Sequence, residues 1–368
     1  MTLRHLLNLS PLARDRLVSL PILVLYLTDG CNSRCVTCDI WKSPRRNMRA
    51  DLIDGLLSDA VALHVRWVVL SGGEAMQHPE WATIAYRFRT QGARLMLLTN
   101  GLLVRRHIQA VIDTVDDLIV SLDGGTAETY HAIRGVDSFD LVLGGMQSAS
   151  HAGKHVTVRT TVSRANFREM PLIVDQAKAV GVRSVSFLPV DVSSPFAFGP
   201  RFISETTFDV RADAPPIDAL PAGEHHPPET ALTLDECAEL DALLDRMERT
   251  HAADFASGRI AESPAKLRRM AAYFRALHTP PDAAPAFPQV RCNAPHTTIV
   301  VEVDGRIRPC YFLPTMGRVR LSENVHLADA ANSEAAVEMR RAQRQGERPE
   351  CTRCVCPLYK SARDLLTL

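Results

Sequence analysis

The sequence predicts an α/β protein, a partial (β/α)6 TIM-like barrel followed by a small C-terminal domain built on a β-hairpin. Three observations predict it. From residue 20 onward, short apolar runs alternate with longer amphipathic stretches, the pattern of βα units around a parallel sheet. Six such runs are found, short of the eight that close a full barrel. After Pro189 the alternation stops, and a tail from about residue 291 holds five of the nine cysteines.

The opening segment "MTLRHLLNLSPLARDRL" is interrupted by Arg4, Pro11, Arg14 and Arg16, and it lacks the apolar run and cleavage site of a signal peptide. It is expected to pack across the main domain, with an amphipathic helix lying on a membrane as the alternative. Strands are expected at 22–27, 67–70, 95–99, 118–122, 156–162 and 184–189, each short, rich in Val, Ile and Leu, and bounded by turn residues. Helical spacing fills the intervals 47–65, 81–92, 104–115, 141–154 and 168–181, and Gly92 and Gly181 close two of them as C-caps. Residues 191–230 show no sustained period and are expected to form an irregular connection or lid, before helical spacing resumes over 232–250. A second Pro-rich break, "HTPPDAAPAFPQ", precedes Cys292. The boundaries follow: an N-terminal extension over 1–20, the barrel over 21–190, a linker or lid with helices over 191–290, and the tail domain over 291–368.

An apolar content of 46% supplies a sizeable core. Lys plus Arg and Asp plus Glu each number 42, so no excess charge draws the chain to nucleic acid or to an acidic membrane. No stretch approaches the roughly 20 apolar residues of a spanning helix. A cytoplasmic protein without a transmembrane segment is therefore expected.

Polar signatures stand at the C-terminal ends of the expected strands, the face on which parallel α/β folds bind ligands. "SGGE" (71–74) follows the second strand, "TNG" (99–101) the third and "SLDGG" (121–125) the fourth. Directly after the first strand, Cys31, Cys35 and Cys38 form a C-x3-C-x2-C loop. Clustered cysteines in a reducing compartment read as metal sites before disulfides. Structural zinc prefers four ligands, so three thiols leave a coordination site open. A four-iron cube takes one Cys per iron, and with three cysteines its fourth iron must find another ligand.

This loop, with the signatures that follow it in order, resembles the radical S-adenosylmethionine (SAM) enzymes. The resemblance implies that Cys31, Cys35 and Cys38 hold a [4Fe-4S] cluster whose open iron is chelated by SAM. It implies that Gly72, Gly73 and Glu74 receive the SAM ammonium, where paired glycines allow close backbone approach and a carboxylate complements an amine. Asn100 would line the pocket, although "TNG" is equally a plain turn. Ser121 and Asp123, with Gly124, would deliver polar groups to ribose or substrate. Arg134, before Gly135, would meet the SAM carboxylate in a bidentate contact, with a surface helix ion pair as its alternative. Leu188 in "FLPV" would hold the adenine, and Trp41 either stands beside it or packs in the core.

In the tail, "HTTIVVEVDGRIRPCYF" alternates around Asp304 and Gly305 and is expected to form a β-hairpin. It would bring Cys292 and Cys310 toward one end, where the C-x2-C pair Cys351 and Cys354 completes four thiolates. Four thiolates suit structural zinc as well as an iron–sulfur cluster. The arrangement resembles the auxiliary-cluster extension of the SPASM and twitch families. The full SPASM pattern has more cysteines after its C-x2-C than this chain, which offers only Cys356, so the resemblance implies one auxiliary [4Fe-4S] cluster. Cys292, Cys310, Cys351 and Cys354 are the favoured ligands, with Cys356 either replacing Cys354 or spare. Cys237, in a helical stretch, is expected to be a buried small apolar residue.

The chemistry implied is reductive cleavage of SAM to methionine and a 5′-deoxyadenosyl radical, which abstracts hydrogen from an unactivated C–H bond. A flavodoxin- or ferredoxin-like donor would supply the electron. The auxiliary cluster would then accept a second electron, making the net reaction an oxidation, or serve structure alone. Oxidative modification of a peptide by a maturase is the first expectation. Dehydrogenation or rearrangement of a small molecule such as a sugar or aminocyclitol is the second, and a non-catalytic iron–sulfur protein the third.

Overall fold

The computed structural model describes residues 15–194, 196, 228–279, 287–288 and 291–367. Most of the expected N-terminal segment and much of the expected lid therefore lie outside the described residues. The six expected strands are present as β1 (Ile22–Thr28), β2 (Trp67–Gly72), β3 (Arg94–Thr99), β4 (Asp117–Ser121), β5 (His155–Val162) and β6 (Ser184–Pro189). They lie parallel in the order β6-β5-β4-β3-β2-β1, each beside its neighbour in sequence. The crossovers carry α1 (Ala50–Ala62), α2 (Trp81–Thr90), α3 (Ile108–Thr114), α4 (Ala127–Arg134), α5 (Phe139–His151) and α6 (Met170–Ala179). Of these, α4 was not expected from periodicity. Its eight residues are too few to show a stripe, and local chemistry defines it instead: the Thr126 hydroxyl accepts from the Thr129 N–H, and Gly135 ends it at φ 66°.

Period-two alternation divides the sheet into two apolar faces. Leu25, Leu70, Leu97, Leu118, Val156 and Val158 are fully buried on the helix side within one large core. Burying each Leu contributes about 2 kcal/mol. The inner face has a separate small cluster of Val24, Tyr26, Val69 and Val300, flanked by Met96, Leu98 and Tyr311. Beyond that cluster, Ser121, Arg159, Thr161 and Leu188 on the inner positions of β4, β5 and β6 are only partly buried.

The expected hairpin forms, but its first strand does more than pair locally. β7 (Thr298–Val301) adds to the free edge of β1 in parallel, with Leu23 opposite Ile299 and Leu25 opposite Val301. β8 (Arg306–Arg308) and β9 (Gly317–Arg318) return antiparallel, giving a nine-stranded sheet. The turn needs Gly305: its φ is +87°, and a Cβ there would meet the Val319 carbonyl at 2.7 Å. The tail thiols are thereby fixed beside the barrel rather than held apart from it.

Among the described residues after β6, three helices are longer than two turns. α7 (Leu234–Thr250) starts at a capping box between Thr233 and Glu236, and it packs on α8 (Pro264–Leu277), which leans on β6. Cys237 is fully buried in this core, as expected of a small apolar residue. Ahead of α8, the Glu262 carboxylate accepts from the Phe187 N–H at 2.9 Å and so covers the open edge of β6. α9 (Glu334–Gln345) holds the segment that leads into β1. Its Arg344 makes two bonds of 2.9 and 2.7 Å to Asp15, and Asn332 exchanges bonds with the backbone of Leu17. The Arg344 guanidinium holds the Asp15 carboxyl down to about 2, against burial, with help from His296. Because this pKa is depressed in the folded chain, its contribution stands above the ordinary value of 3.8 and is withdrawn as pH falls toward about 2. Asp15→Ala is expected to lower the amide-exchange protection of Leu17 at neutral pH by about tenfold while Leu25 and Leu70 keep theirs. Equal loss at all three would mean that the contact supports the whole fold. Among the described residues, no helix is long and apolar enough to cross a membrane.

Candidate functional site

The three thiols sit on a loop that leaves the C-terminal end of β1 and returns to it. Its ends are tied where the Asp29 N–H donates to the Arg46 carbonyl at 2.9 Å, the Asp29 carboxylate pairs with Arg46 at 2.8 Å, and Thr28 bridges Asn47. The middle is fastened to the end of α4: the Arg34 and Val36 N–H groups donate to the carbonyls of Arg134 and Ile133 at 3.0 and 2.9 Å. A Cβ at Gly135 would approach the Arg34 carbonyl to 2.7 Å, so the Arg-Gly pair admits the cysteine loop at this place. Trp41 is half-buried and donates its indole N–H to the Cys35 carbonyl at 3.3 Å, which places it against the thiol loop.

The end of β2 presses on the same loop from the other side. The Gly73 and Glu74 N–H groups donate to the carbonyls of Thr28 and Gly30, both at 2.8 Å. A Cβ at Gly73 would lie 2.3 Å from the Gly30 carbonyl, and one at Gly72, where φ is +121°, 2.4 Å from the Thr28 carbonyl. Only a double glycine permits this approach of backbone to backbone. Glu74 is fully buried, and its carboxylate accepts from the Met76 N–H at 3.1 Å, the Thr99 hydroxyl at 2.9 Å and the Asn100 N–H at 2.7 Å. Burial raises its pKa, and these donors together with Arg134 pull part of that shift back. Glu74 thus ties the ends of β2 and β3 together.

Asn100 belongs to the same assembly. Its amide nitrogen donates to Asn32 Oδ1 at 2.7 Å and reaches Cys31 Sγ at 3.8 Å. Ser121 ends β4 on the inner face. Asp123, just beyond, is buried, accepting from Arg134 Nη1 at 2.9 Å and from the Thr161 N–H at 2.7 Å. Arg134 is therefore not in a surface ion pair; its partner is buried with it, and its Nε has no hydrogen-bond partner. Leu188 stands apart from these contacts. It lines a cleft with Lys266, Arg269, Tyr273, Arg353 and Cys354, between β6, α8 and the tail.

Burial raises the pKa of Cys31, Cys35 and Cys38, the last to about 12, while the Arg134 charge lowers all three. Buried thiols beside one cation ionise when a metal replaces their protons, so this donor set fits soft iron–thiolate bonding. The orphaned Ser33 hydroxyl and Arg134 Nε leave polar capacity for a further ligand here.

The tail thiols also converge. Cys351 lies within electrostatic reach of Cys310 and Cys292, Cys354 of Cys356, Cys310 and Cys292, and Cys356 of Cys292. Asn293 makes this happen: it binds the Leu358 carbonyl at 2.9 Å and exchanges bonds of 2.8 and 2.9 Å with Lys360, clasping the last cysteines to the first. Burial pushes Cys310 and Cys351 up to about 12. Among the described residues, no three His, Cys, Asp or Glu side chains close on the spacing of a single ion. A cube takes one thiolate per iron and so asks for a wider spread. All five tail thiols are gathered, so the structure brings Cys356 to the site with the other four. Sequence reasoning missed Arg159 and Tyr311 on the inner face; the signal available for the first was a lone Arg inside the strand run "HVTVRTTV".

A parallel α/β partial barrel with a three-thiol loop at its C-terminal rim, backed by a thiol-rich tail, is the architecture of a radical SAM protein with an auxiliary-cluster extension. Residues 25–177 match the model of the radical SAM superfamily and residues 292–355 that of the SPASM iron–sulfur cluster-binding domain, and the chain carries both. A [4Fe-4S] cluster with SAM, and auxiliary iron–sulfur binding in the tail, are the cofactors these domains take. Over 161 residues the chain is 31% identical to the AdoMet-dependent heme synthase of Methanosarcina barkeri, covering 42% of this chain and 46% of that protein. Over 175 residues it is 27% identical to the mycofactocin maturase MftC of Mycobacterium tuberculosis, covering 45% and 44%. The chain thus matches slightly under half the length of these curated relatives. The fold is similar to that of Streptococcus suis SuiB bound to S-adenosylmethionine, with a TM-score of 0.61, 14% identity, and coverage of 96% of this chain and 76% of that one. It is also similar to anSMEcpe with bound AdoMet and the Cp18Cys peptide, with a TM-score of 0.59, 15% identity, and coverage of 87% and 82%.

Proposed function

We propose that the chain is a radical SAM oxidoreductase that oxidatively modifies a peptide. The observation that carries the reading is the gathering of Cys31, Cys35 and Cys38 at the rim of the barrel, locked between the Gly72–Gly73 strand end and the Arg134–Gly135 helix end. When bound and reduced, the cluster with its SAM supplies a 5′-deoxyadenosyl radical able to take hydrogen from an unactivated C–H bond. The chain's own residues bind and orient. Cys31, Cys35 and Cys38 hold three irons, and the strand-end backbone at Gly72 and Gly73 accepts the SAM ammonium. Glu74 and Asn100 fix that strand end against the thiol loop. Ser121, Asp123 and Arg134 present polar groups to ribose and carboxylate, and Leu188 offers apolar surface to the adenine.

Cys292, Cys310, Cys351 and Cys354 hold one auxiliary [4Fe-4S] cluster, with Cys356 the alternative to Cys354. The catalytic unit spans 21–190 and the auxiliary unit 291–368, with 191–290 as the connection between them. A flavodoxin- or ferredoxin-like protein in the cytoplasm supplies the electron. Support for a peptide comes from similarity to the maturase MftC and to the folds of SuiB and anSMEcpe, which were solved with peptides. A small-molecule substrate is the second reading, favoured by the 31% identity to a heme synthase.

Anaerobic reconstitution tests the cofactor reading. The protein is expected to bind about eight irons per chain and to form 5′-deoxyadenosine when reduced with SAM present. About four irons with one zinc would reassign the tail, and no 5′-deoxyadenosine would remove the proposed activity.

A further inference from the structure

We propose that Arg159 binds a carboxylate of the substrate on the inner face of the barrel, between the rim that carries the thiol loop and the tail thiols. The inference rests on the radical SAM reading of the rim. Arg159 lies mid-way along β5, in register with Ser121 of β4 and Ser186 of β6. Its neighbours Val158 and Thr160 are fully buried on the helix side, so alternation turns Arg159 to the inner face. There its Nε is buried with no hydrogen-bond partner. Its guanidinium lies within electrostatic reach of Tyr311 and Cys356. Tyr311 in turn stacks on Tyr26 of β1 at 6.2 Å, so the guanidinium faces across the interior rather than along the sheet.

A buried guanidinium nitrogen without an acceptor is costly, and the nearby acids are already committed. Glu302 pairs with Arg306 at 3.1 Å and Arg308 at 3.4 Å; Glu262 accepts from Ser186 and Phe187, both at 2.9 Å. The planar fork of Arg matches a carboxylate in a bidentate contact. A cationic approach leads to it: Cys356 is within reach of both Arg159 and Lys266, and Lys266 lines the cleft with Arg269 and Arg353. Lys266 itself pairs with Glu262 at 3.6 Å, so Arg269 and Arg353 supply the positive charge that the cleft lining offers an anion.

The test uses the reconstituted holoenzyme with SAM bound and follows binding by ligand-observed NMR. The probes are propionate, acetyl-alanylalanine, and the neutral amide of each. At least one acid is expected to bind about tenfold more tightly than its amide, and R159Q is expected to erase that difference. R159K, which keeps the charge without the fork, is expected to fall between. The larger advantage in acetyl-alanylalanine would assign the group to a peptide, and in propionate to a small acid. Retention of the acid preference in R159Q overturns the proposal. So does an R159Q variant that binds SAM about tenfold more weakly, which would place Arg159 in the SAM site. A change confined to the EPR signal of the tail cluster would assign Arg159 to the thiolates and overturn it as well. Failure of the radical SAM reading would show separately, as a parent chain lacking iron and 5′-deoxyadenosine.

Discussion

Replacing Cys31, Cys35 and Cys38 together by Ala is expected to abolish 5′-deoxyadenosine formation while leaving about half of the bound iron, if each cluster is a four-iron cube. The reason is geometric separation. The rim thiols are held by β1, β2 and α4, whereas the tail thiols are held by the clasp of Asn293 on Leu358 and Lys360. No backbone bond that fastens the rim loop depends on a thiol, since its ties run through the carbonyls of Thr28, Gly30, Ile133, Arg134 and the backbone of Arg46. The triple variant should therefore fold, and its remaining iron should be tail iron. SAM cleavage that survives in this variant would defeat the central proposal, and loss of all iron would show that the tail site depends on the rim.

The second large effect is expected at Arg134. Its guanidinium and the Asp123 carboxylate are both buried and 2.9 Å apart, so Arg134→Met leaves a buried carboxylate without its cation. Breaking such a pair from one side costs about 3–5 kcal/mol of folding stability. Adding Asp123→Asn to Arg134→Met is expected to restore part of the loss, because the amide oxygen can still accept from the Thr161 N–H while the buried charge is gone. Urea unfolding of the two variants and the parent measures this. A single variant within about 1 kcal/mol of the parent would mean that water reaches the pair. The cysteine loop itself should stay docked, because its bonds to α4 run to main-chain carbonyls that any residue at position 134 supplies.

The rim site was legible in the sequence because its parts are local signals at strand ends. The double glycine and the Arg-Gly pair each correspond to a close backbone approach that a Cβ would block, and the C-x3-C-x2-C spacing marks the loop that they admit. What could not be read was what the polar side chains in those signals face. Glu74, the acid of "SGGE", accepts from Thr99 and Asn100 on the next strand end. Arg134 makes its ion pair with the buried Asp123 eleven positions earlier rather than at the surface, and its Nε stays open to a further ligand. Leu188 occupies the strand end expected of it but opens on the cleft shared with the tail.

By itself the sequence determined the βα alternation, the positions of the six barrel strands and the two groups of thiols, because periodicity, glycine placement and cysteine spacing act over a few residues. The tertiary structure alone decided that β7, arriving more than a hundred residues after β6, would complete the sheet at β1 and carry the tail thiols to the barrel. It also decided that Arg159 would face Tyr311 and Cys356 across the interior. Strand pairing and burial of charge depend on which distant groups become neighbours, and no local pattern specifies that before the chain has closed on itself.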